Sequence, residues 1–197
     1  MDKLNEAVKF AIEAHSTQTR KLDGGPYILH PMEVAVIVGG LTRDEDVICA
    51  AVLHDVVEDT SVTLEEVEKL FGKRVADLVL GETEDKRADL PPEATWKIRK
   101  EESLYHMKLM KDKDVELLWL GDKLSNLRSI LKHYMRIGDG VWEFFNQKDK
   151  REQEWYYRSV AELLRANFEG TKEFMEYKQI VEYIFKQGER SGIQTRK

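Results

Sequence analysis

The chain has 197 residues, 42% of them hydrophobic, which suits one ordinary domain with a full core, although two small domains would also fit. Its 31 basic and 37 acidic residues give a net charge of −6, which argues against a dedicated nucleic-acid-binding protein but not against a nucleotide ligand. The single cysteine, Cys49, excludes an intrachain disulfide and a cysteine-based zinc cluster. We find neither an N-terminal signal pattern nor a bilayer-length apolar segment, and expect a cytoplasmic protein that does not bind membranes.

Apolar residues recur at helical spacing along almost the whole chain. The pattern predicts a first helix ending near Ala14, a polar stretch, and a second helix from Pro31 to the glycines at 39–40. Asp44 or the residue before it is placed to cap the helix that carries residues 54–59, and Thr63 with Glu66 matches a capping box. Further helices are predicted to end at 71 and 81 and to cover 94–110, 115–128, 153–167 and 172–187, with polar connections at 82–93 and 139–150. Because no segment alternates like a strand, the predicted fold is an all-α helical bundle.

The densest chemistry lies at residues 54–59, where His-Asp-Val-Val-Glu-Asp follows an apolar segment. On one continuous helix, His54 and Glu58 would share a stripe, and Asp55 and Asp59 would share the next. Clustered buried carboxylates repel one another and lose hydration, and a divalent cation offsets both effects most directly. The run therefore predicts one wall of a metal-binding pocket.

Asp122 interrupts an otherwise apolar predicted helix and is expected to face inward, with Asn126 one turn further on the same stripe. With His30, His54 and Asp55 it would supply two imidazoles and two carboxylates. This donor set suits Mn, Fe, Co or Zn better than Ca or Mg, and the sequence alone does not choose among those four metals.

Each candidate also has a purely structural interpretation. A histidine before a proline is usually a turn or cap residue, and the carboxylate at 122 could simply pair with Lys123 or Arg128. Glu58 and Asp59 could end a helix in solvent, and the aromatic residues at 155–157 are expected to serve packing. Three further histidines are expected to be structural or exposed: His15, His106 and His133.

Five motifs occur in a fixed order over about residues 5–131. They are Ala14-His15 with Gln18 and Arg20-Lys21, then Pro26 to Pro31 (PYILHP), residues 50–60 (AAVLHDVVEDT), Phe71-Gly72 with Val75-Ala76, and residues 121–128 (GDKLSNLR). In these motifs the chain resembles the HD-domain metal-dependent phosphohydrolases. Within them it is similar to the alarmone hydrolases, meaning the RelA/SpoT hydrolase domain and its small stand-alone relatives of the MESH type. The resemblance implies a single domain of the HD type over 1–197, with C-terminal helices at about 132–190.

The resemblance also implies a role for three groups of residues. The ligands of one Mn²⁺-like ion would be His30, His54, Asp55 and Asp122. The residues that position or activate the attacking water would be Glu58 and Asp59. The substrate contacts would be Arg20, Lys21 and Asn126. Two positions depart from the long RelA/SpoT pattern, because Gly121 and Ser125 replace an alanine and a histidine, and we expect them to alter the floor of the pocket.

The leading hypothesis is a hydrolase that removes pyrophosphate from the 3′ position of guanosine tetra- or pentaphosphate, giving GDP or GTP. Its partner would be a small nucleotide and not a nucleic-acid polymer. One alternative keeps the fold and the metal but acts on an adenosine alarmone, NADPH or a nucleoside phosphate. Another is a noncatalytic nucleotide-binding or helical interaction module, which would bind no transition metal. The oligomeric state and a lid role for residues 82–93 stay open.

Overall fold

The computed structural model describes residues 2–87 and 89–186, and the fold of that part is all-α, as predicted. The helices are α1 (Asp2–Ala14), α2 (Leu29–Leu41), α3 (Glu45–Leu53), α4 (Val56–Asp59), α5 (Leu64–Phe71), α6 (Lys73–Glu82), α7 (Pro92–Met110), α8 (Lys113–Ile137), α9 (Lys150–Phe168) and α10 (Lys172–Lys186). A 3-10 helix, Gly138–Phe144, follows α8. In the described ranges there is no strand, only an isolated antiparallel bridge between Thr19 and Pro26.

Local signals set several helix ends as predicted. The Asp44 carboxylate accepts a hydrogen bond from the backbone N–H of Asp46 and caps α3. Thr63 and Glu66 form both bonds of a capping box at the start of α5. Gly72, with φ +92°, ends α5 and leads directly into α6, a conformation that glycine adopts without steric cost.

The predicted continuous helix through residues 54–59 is wrong. Helix α3 ends at Leu53, and α4 is a separate single turn that begins at Val56. Asp55, at φ −95° and ψ −5°, lies in the bridge region where many active-site residues are found. The bond from the N–H of Asp59 to the carbonyl of Asp55, at 2.8 Å, belongs to α4 and does not join it to α3. The four polar side chains therefore do not lie on two stripes of one helix.

The C-terminal half also differs from the predicted boundaries. Helix α8 runs to Ile137, well past the predicted end at 128, and the predicted polar connection at 139–150 contains the 3-10 helix. Helices α9 and α10 lie where they were predicted. Residue 187, the predicted end of the last helix, and residues up to 190 lie outside the described part of the chain.

Helix α8 is the centre of the packing. It contacts α2, α3, α6, α9 and α10, and its leucines at 118, 120, 124 and 127 are fully buried. An apolar helix with neighbours on most sides is what the sequence of this segment predicted. Because α2, α3 and α8 pack on one another, polar side chains at their facing positions are brought together. In the described residues, no helix has the length and apolar character of a membrane span.

The close approach of α2 to α8 depends on Gly121. A Cβ built at this position would lie 2.9 Å from Val38 Cγ2 and 3.1 Å from Val34 Cγ1, and both valines are stiff at χ1. Overpacking costs about 1–3 kcal/mol, and alanine returns up to about 1 kcal/mol of helix propensity. We expect Gly121→Ala to lower the free energy of unfolding by about 1–2 kcal/mol in urea denaturation. Gly39→Ala, whose Cβ meets only Ile48 at 3.9 Å, is the matched control and should not destabilise. A Gly121→Ala variant as stable as the wild type would contradict this packing.

Candidate metal centre

Three helices bring their polar residues to one point in the core. His30 lies in the first turn of α2, His54 follows the end of α3, and Asp122 lies in the middle of α8. All three are buried, and one ligand atom of each lies within 4.8 Å of the other two. The sequence places these residues up to 92 positions apart, so tertiary packing alone assembles the group.

Asp55, the fourth predicted ligand, lies beside this group of three. Its Oδ2 lies 3.1 Å from His54 Nε2 and 3.6 Å from His30 Nε2. Asp122 Oδ1 lies 3.0 Å from His30 Nε2 and 3.8 Å from His54 Nε2. The structure thus brings Asp55 Oδ2 close to both imidazole nitrogens, beside the group of three formed by His30, His54 and Asp122.

Second partners orient both imidazoles. His30 Nδ1 lies 2.9 Å from Ser125 Oγ, and that hydroxyl donates its hydrogen to Glu33 Oε2 at 2.8 Å. The serine oxygen therefore accepts from His30, which fixes Nδ1 as the protonated nitrogen. His54 Nδ1 donates to the carbonyl of Ala51 at 2.9 Å. In each ring the other nitrogen, Nε2, keeps its lone pair for the cluster, which is the arrangement found in histidine-ligated metal sites.

The two departures noted in the sequence lie behind the ligands. Ser125 is fully buried and supports His30, and Gly121 packs against α2. Neither residue is part of the cavity lining. Their influence on the pocket floor is therefore indirect, through the ligands that they support.

The polar atoms of the cluster fit a bound cation. His54 Nε2 is buried and has no hydrogen-bond partner in the described residues, although a carboxylate oxygen of Asp55 lies 3.1 Å away. Burial alone would lower the pKa of His54, but Asp55 and Asp122 raise it well above its usual range. Burial alone would raise the pKa of the Asp55 carboxyl, but the two histidines hold that pKa well below its usual range. A proton or a divalent ion would satisfy these atoms, and the donor set fits a divalent metal.

The acidic pair on α4 stands next to this cluster. Glu58 Oε2 accepts a hydrogen bond of 3.1 Å from the backbone N–H of Glu84, and Asp59 Oδ1 forms an ion pair with the Lys86 ammonium. Burial and the charge of Asp55 raise the pKa of Glu58 to about 7, while Lys86 opposes this shift. A carboxyl group with this pKa can accept or release a proton near neutral pH.

Asp122 both faces the cluster and forms an ion pair, the two interpretations that its sequence position allowed. Its Oδ1 faces the histidines, while Oδ2 forms an ion pair with the Lys123 ammonium, which also lies 3.0 Å from Glu82 Oε1. Arg128, the other possible partner, instead pairs with two glutamates, at 33 and 176. Burial raises the pKa of Glu82 to about 8, with Lys123 acting against it.

A cavity of about 590 Å³ opens onto the cluster and the acidic pair, within the size range of small-molecule sites. The three predicted substrate residues line it: Arg20, Lys21 and Asn126. Asn126 also donates from Nδ2 to Asp122 Oδ1 at 2.7 Å, as their shared stripe predicted. Cationic residues that were not predicted as substrate contacts line the same cavity: Lys86, Arg99, Lys100 and Lys123.

The remaining histidines fit the structural role expected of them. His15 and His133 are buried and bond to Gln18 and to the carbonyl of Ser129, whereas His106 is exposed. The aromatic residues at 156 and 157 are buried packing residues that also line the cavity.

Comparisons with known proteins agree with this arrangement. A protein-family model described as the HD domain matches residues 7–144. The guanosine-3′,5′-bis(diphosphate) 3′-pyrophosphohydrolase of Aquifex aeolicus (strain VF5) is 34% identical over 98% of this chain, which spans only 30% of that relative's length. The guanosine-3′,5′-bis(diphosphate) 3′-pyrophosphohydrolase MESH1 of Danio rerio is 43% identical over 64% of this chain and 68% of its own length. A solved structure described as a metazoan ortholog of SpoT that hydrolyzes ppGpp has a TM-score of 0.73 at 29% identity, covering 93% of this chain and 96% of that chain.

Proposed function

This chain belongs to the HD domain family, and we propose that it is a metal-dependent hydrolase of guanosine 3′,5′-bis(diphosphate)-type alarmones. Water would bond to the 3′ phosphorus, and the bond from that phosphorus to the ribose 3′ oxygen would break. The products would be pyrophosphate and either GDP or GTP. The observation that carries the proposal is the buried His54 Nε2, which makes no hydrogen bond in the described residues and faces the carboxylates of Asp55 and Asp122 beside an acidic pair. The activities named for the Aquifex and zebrafish relatives support this choice of substrate.

The proposed ligands of one divalent ion are His30, His54, Asp55 and Asp122. The donor set suits a divalent first-row transition metal better than Ca²⁺ or Mg²⁺. We propose Mn²⁺ among these metals because the resemblance to the HD-domain phosphohydrolases implies a Mn²⁺-like ion. Such an ion, when bound, would neutralise phosphate charge and make nearby water more acidic. The protein's contribution is the orientation of the ligands, which Ser125 and the α3 carbonyl at 51 provide.

The two acidic residues on α4 take different parts in the proposed reaction. Glu58, with a pKa raised to about 7, would accept the proton of the attacking water. Asp59 is held on both carboxylate oxygens, by Lys86 on Oδ1 and by the Tyr27 hydroxyl on Oδ2, and would orient the water. A nucleophile that is already oriented loses less entropy on reaching the transition state.

The cationic side chains of the cavity would hold the nucleotide. Arg20 can donate a forked pair of hydrogen bonds to a phosphate, and Lys21 adds a mobile point charge. Asn126 would contact substrate through the donor and acceptor capacity that its bond to Asp122 leaves free. The rest of the proposal follows the sequence expectations: one domain over 1–197, a cytoplasmic location and a small nucleotide ligand, not a nucleic-acid polymer.

A substrate panel tests the proposed function. Purified protein with Mn²⁺ is assayed side by side on guanosine tetraphosphate, its adenosine counterpart, NADPH and a nucleoside phosphate, with Asp122→Asn protein as the blank. We expect the highest kcat/KM for the guanosine alarmone. Turnover of any other member with none of the guanosine alarmone would contradict the proposal. Failure of the protein to bind any transition metal would favour a noncatalytic module.

A further inference from the structure

Tyr27 connects the metal cluster to the acidic pair. Its hydroxyl donates to Asp55 Oδ2 at 2.6 Å and to Asp59 Oδ2 at 2.9 Å. The Asp55 oxygen is the same atom that lies 3.1 Å from His54 Nε2. One phenol therefore touches both the carboxylate oxygen that faces the histidines and the carboxylate proposed to orient water.

The surroundings of Tyr27 hold its ring in place. The ring packs on His15 and His30, with centroids 4.9 and 5.8 Å apart, and the backbone N–H of Tyr27 donates to the carbonyl of Gln18 at 3.0 Å. The Gln18 amide in turn donates to the backbone carbonyl of Asp59, so the loop after α1 is tied to α4. The hydroxyl thus has a fixed position relative to both carboxylates.

The phenol has one hydrogen and two anionic acceptors. Both contacts of the hydroxyl are to carboxylate oxygens, and an ionised carboxylate only accepts, so Tyr27 is the hydrogen-bond donor. A single hydrogen shared by two carboxylates draws their oxygens toward one point. The same contact then sets the orientation of both side chains.

We propose that Tyr27 is a positioning residue that fixes Asp55 for the metal and Asp59 for the attacking water. The second half of this inference rests on the proposed function, whereas the first half concerns metal affinity and needs no substrate. Partners that orient a metal ligand typically change affinity or activity 10–100-fold when they are removed.

The test is Tyr27→Phe, which removes the hydroxyl and keeps the ring that packs on the two histidines. We expect the Kd for Mn²⁺, measured by titration calorimetry without substrate, to rise about 10–100-fold. At saturating Mn²⁺ and guanosine alarmone, kcat should fall about 10-fold or more while KM stays close to that of the wild type. The matched control is Tyr177→Phe, because the buried Tyr177 hydroxyl donates to the Tyr157 carbonyl at 2.9 Å. It should lower the Tm without changing Mn²⁺ affinity or kcat.

A second comparison separates positioning from a general loss of structure. In an Asp59→Asn background, Tyr27→Phe should still weaken Mn²⁺ binding but should lower kcat less than it does in the wild type. The double variant removes the donor and also one of the two carboxylates that accept from it. Because removing both partners of a hydrogen bond costs less than removing one, this variant provides the test even where the single variant folds poorly. Unchanged Mn²⁺ affinity in Tyr27→Phe, or an equal loss in Tyr177→Phe, would overturn the inference. Weakened Mn²⁺ binding in a protein without alarmone hydrolysis would defeat the proposed function and leave the metal half of the inference standing.

Discussion

Asp122→Asn protein is expected to lose Mn²⁺ binding and about 10³-fold or more in kcat/KM. The reason is that Asp122 Oδ1, 3.0 Å from His30 Nε2, supplies one of the two carboxylates of the cluster. A cation that supplies several kcal/mol of charge stabilisation corresponds to a loss of this size, since about 1.4 kcal/mol is a factor of ten. The fold should persist, because Lys123 keeps Glu82 as an ion-pair partner. Calorimetric titration with Mn²⁺ and initial rates measure the two effects.

The control for this variant is Asp114→Asn on the same helix. Asp114 lies in the first turn of α8, has a side chain that is 41% exposed and pairs with Arg74 at 2.8 Å, so the same change in charge is made in another part of the helix. We expect wild-type metal binding and activity in the control. An Asp122→Asn protein that hydrolysed the alarmone at the wild-type rate would show that Asp122 is not a ligand.

Glu58→Gln is expected to lower kcat about 10²–10⁴-fold, the usual contribution of a general base. Its Mn²⁺ affinity should stay within a few-fold of the wild type, because Glu58 is not one of the four proposed ligands. Glu65→Gln, an exposed change on the neighbouring helix α5, should leave both quantities unaltered. The comparison separates proton transfer from metal binding.

The pH dependence of the wild-type activity tests whether Glu58 acts as a base. Burial and Asp55 raise the pKa of Glu58 to about 7, and only the ionised form can accept a proton. Activity should therefore rise with pH up to about 7 and then level off, and a cation beside Asp55 would move this limb lower. The limb should be absent from the pH profile of Glu58→Gln. Its persistence in that variant would assign the ionisation to another group.

Much of the fold could be predicted because its signals are local. Helical periodicity gave the element types, and the caps at Asp44 and at Thr63 with Glu66 form the bonds that their spacing predicted. The break after Leu53 was missed, since nothing in the apolar pattern marks it. The break falls at His54 and Asp55, between the end of α3 at Leu53 and the start of α4 at Val56.

The candidate site was predictable where chemistry is dense in the sequence and obscure where it depends on tertiary contacts. The candidate metal ligands stood out as polar residues beside apolar segments. Tyr27 is 28 residues from Asp55 and 32 residues from Asp59 in the sequence, and Lys86 is 27 residues from Asp59. No local spacing therefore indicates these contacts. Asp122 could not be assigned to one role because its two oxygens serve two, one toward the histidines and one toward Lys123.

The most direct test of the account is the product analysis of one reaction. Purified protein, Mn²⁺ and guanosine 3′,5′-bis(diphosphate) are incubated, quenched with a chelator and separated by anion-exchange chromatography. We predict GDP and pyrophosphate in equal amounts, with neither product when the chelator is added first or when Asp122→Asn protein is used. Release of orthophosphate without GDP, or no turnover of the nucleotide in the presence of Mn²⁺, would contradict the account.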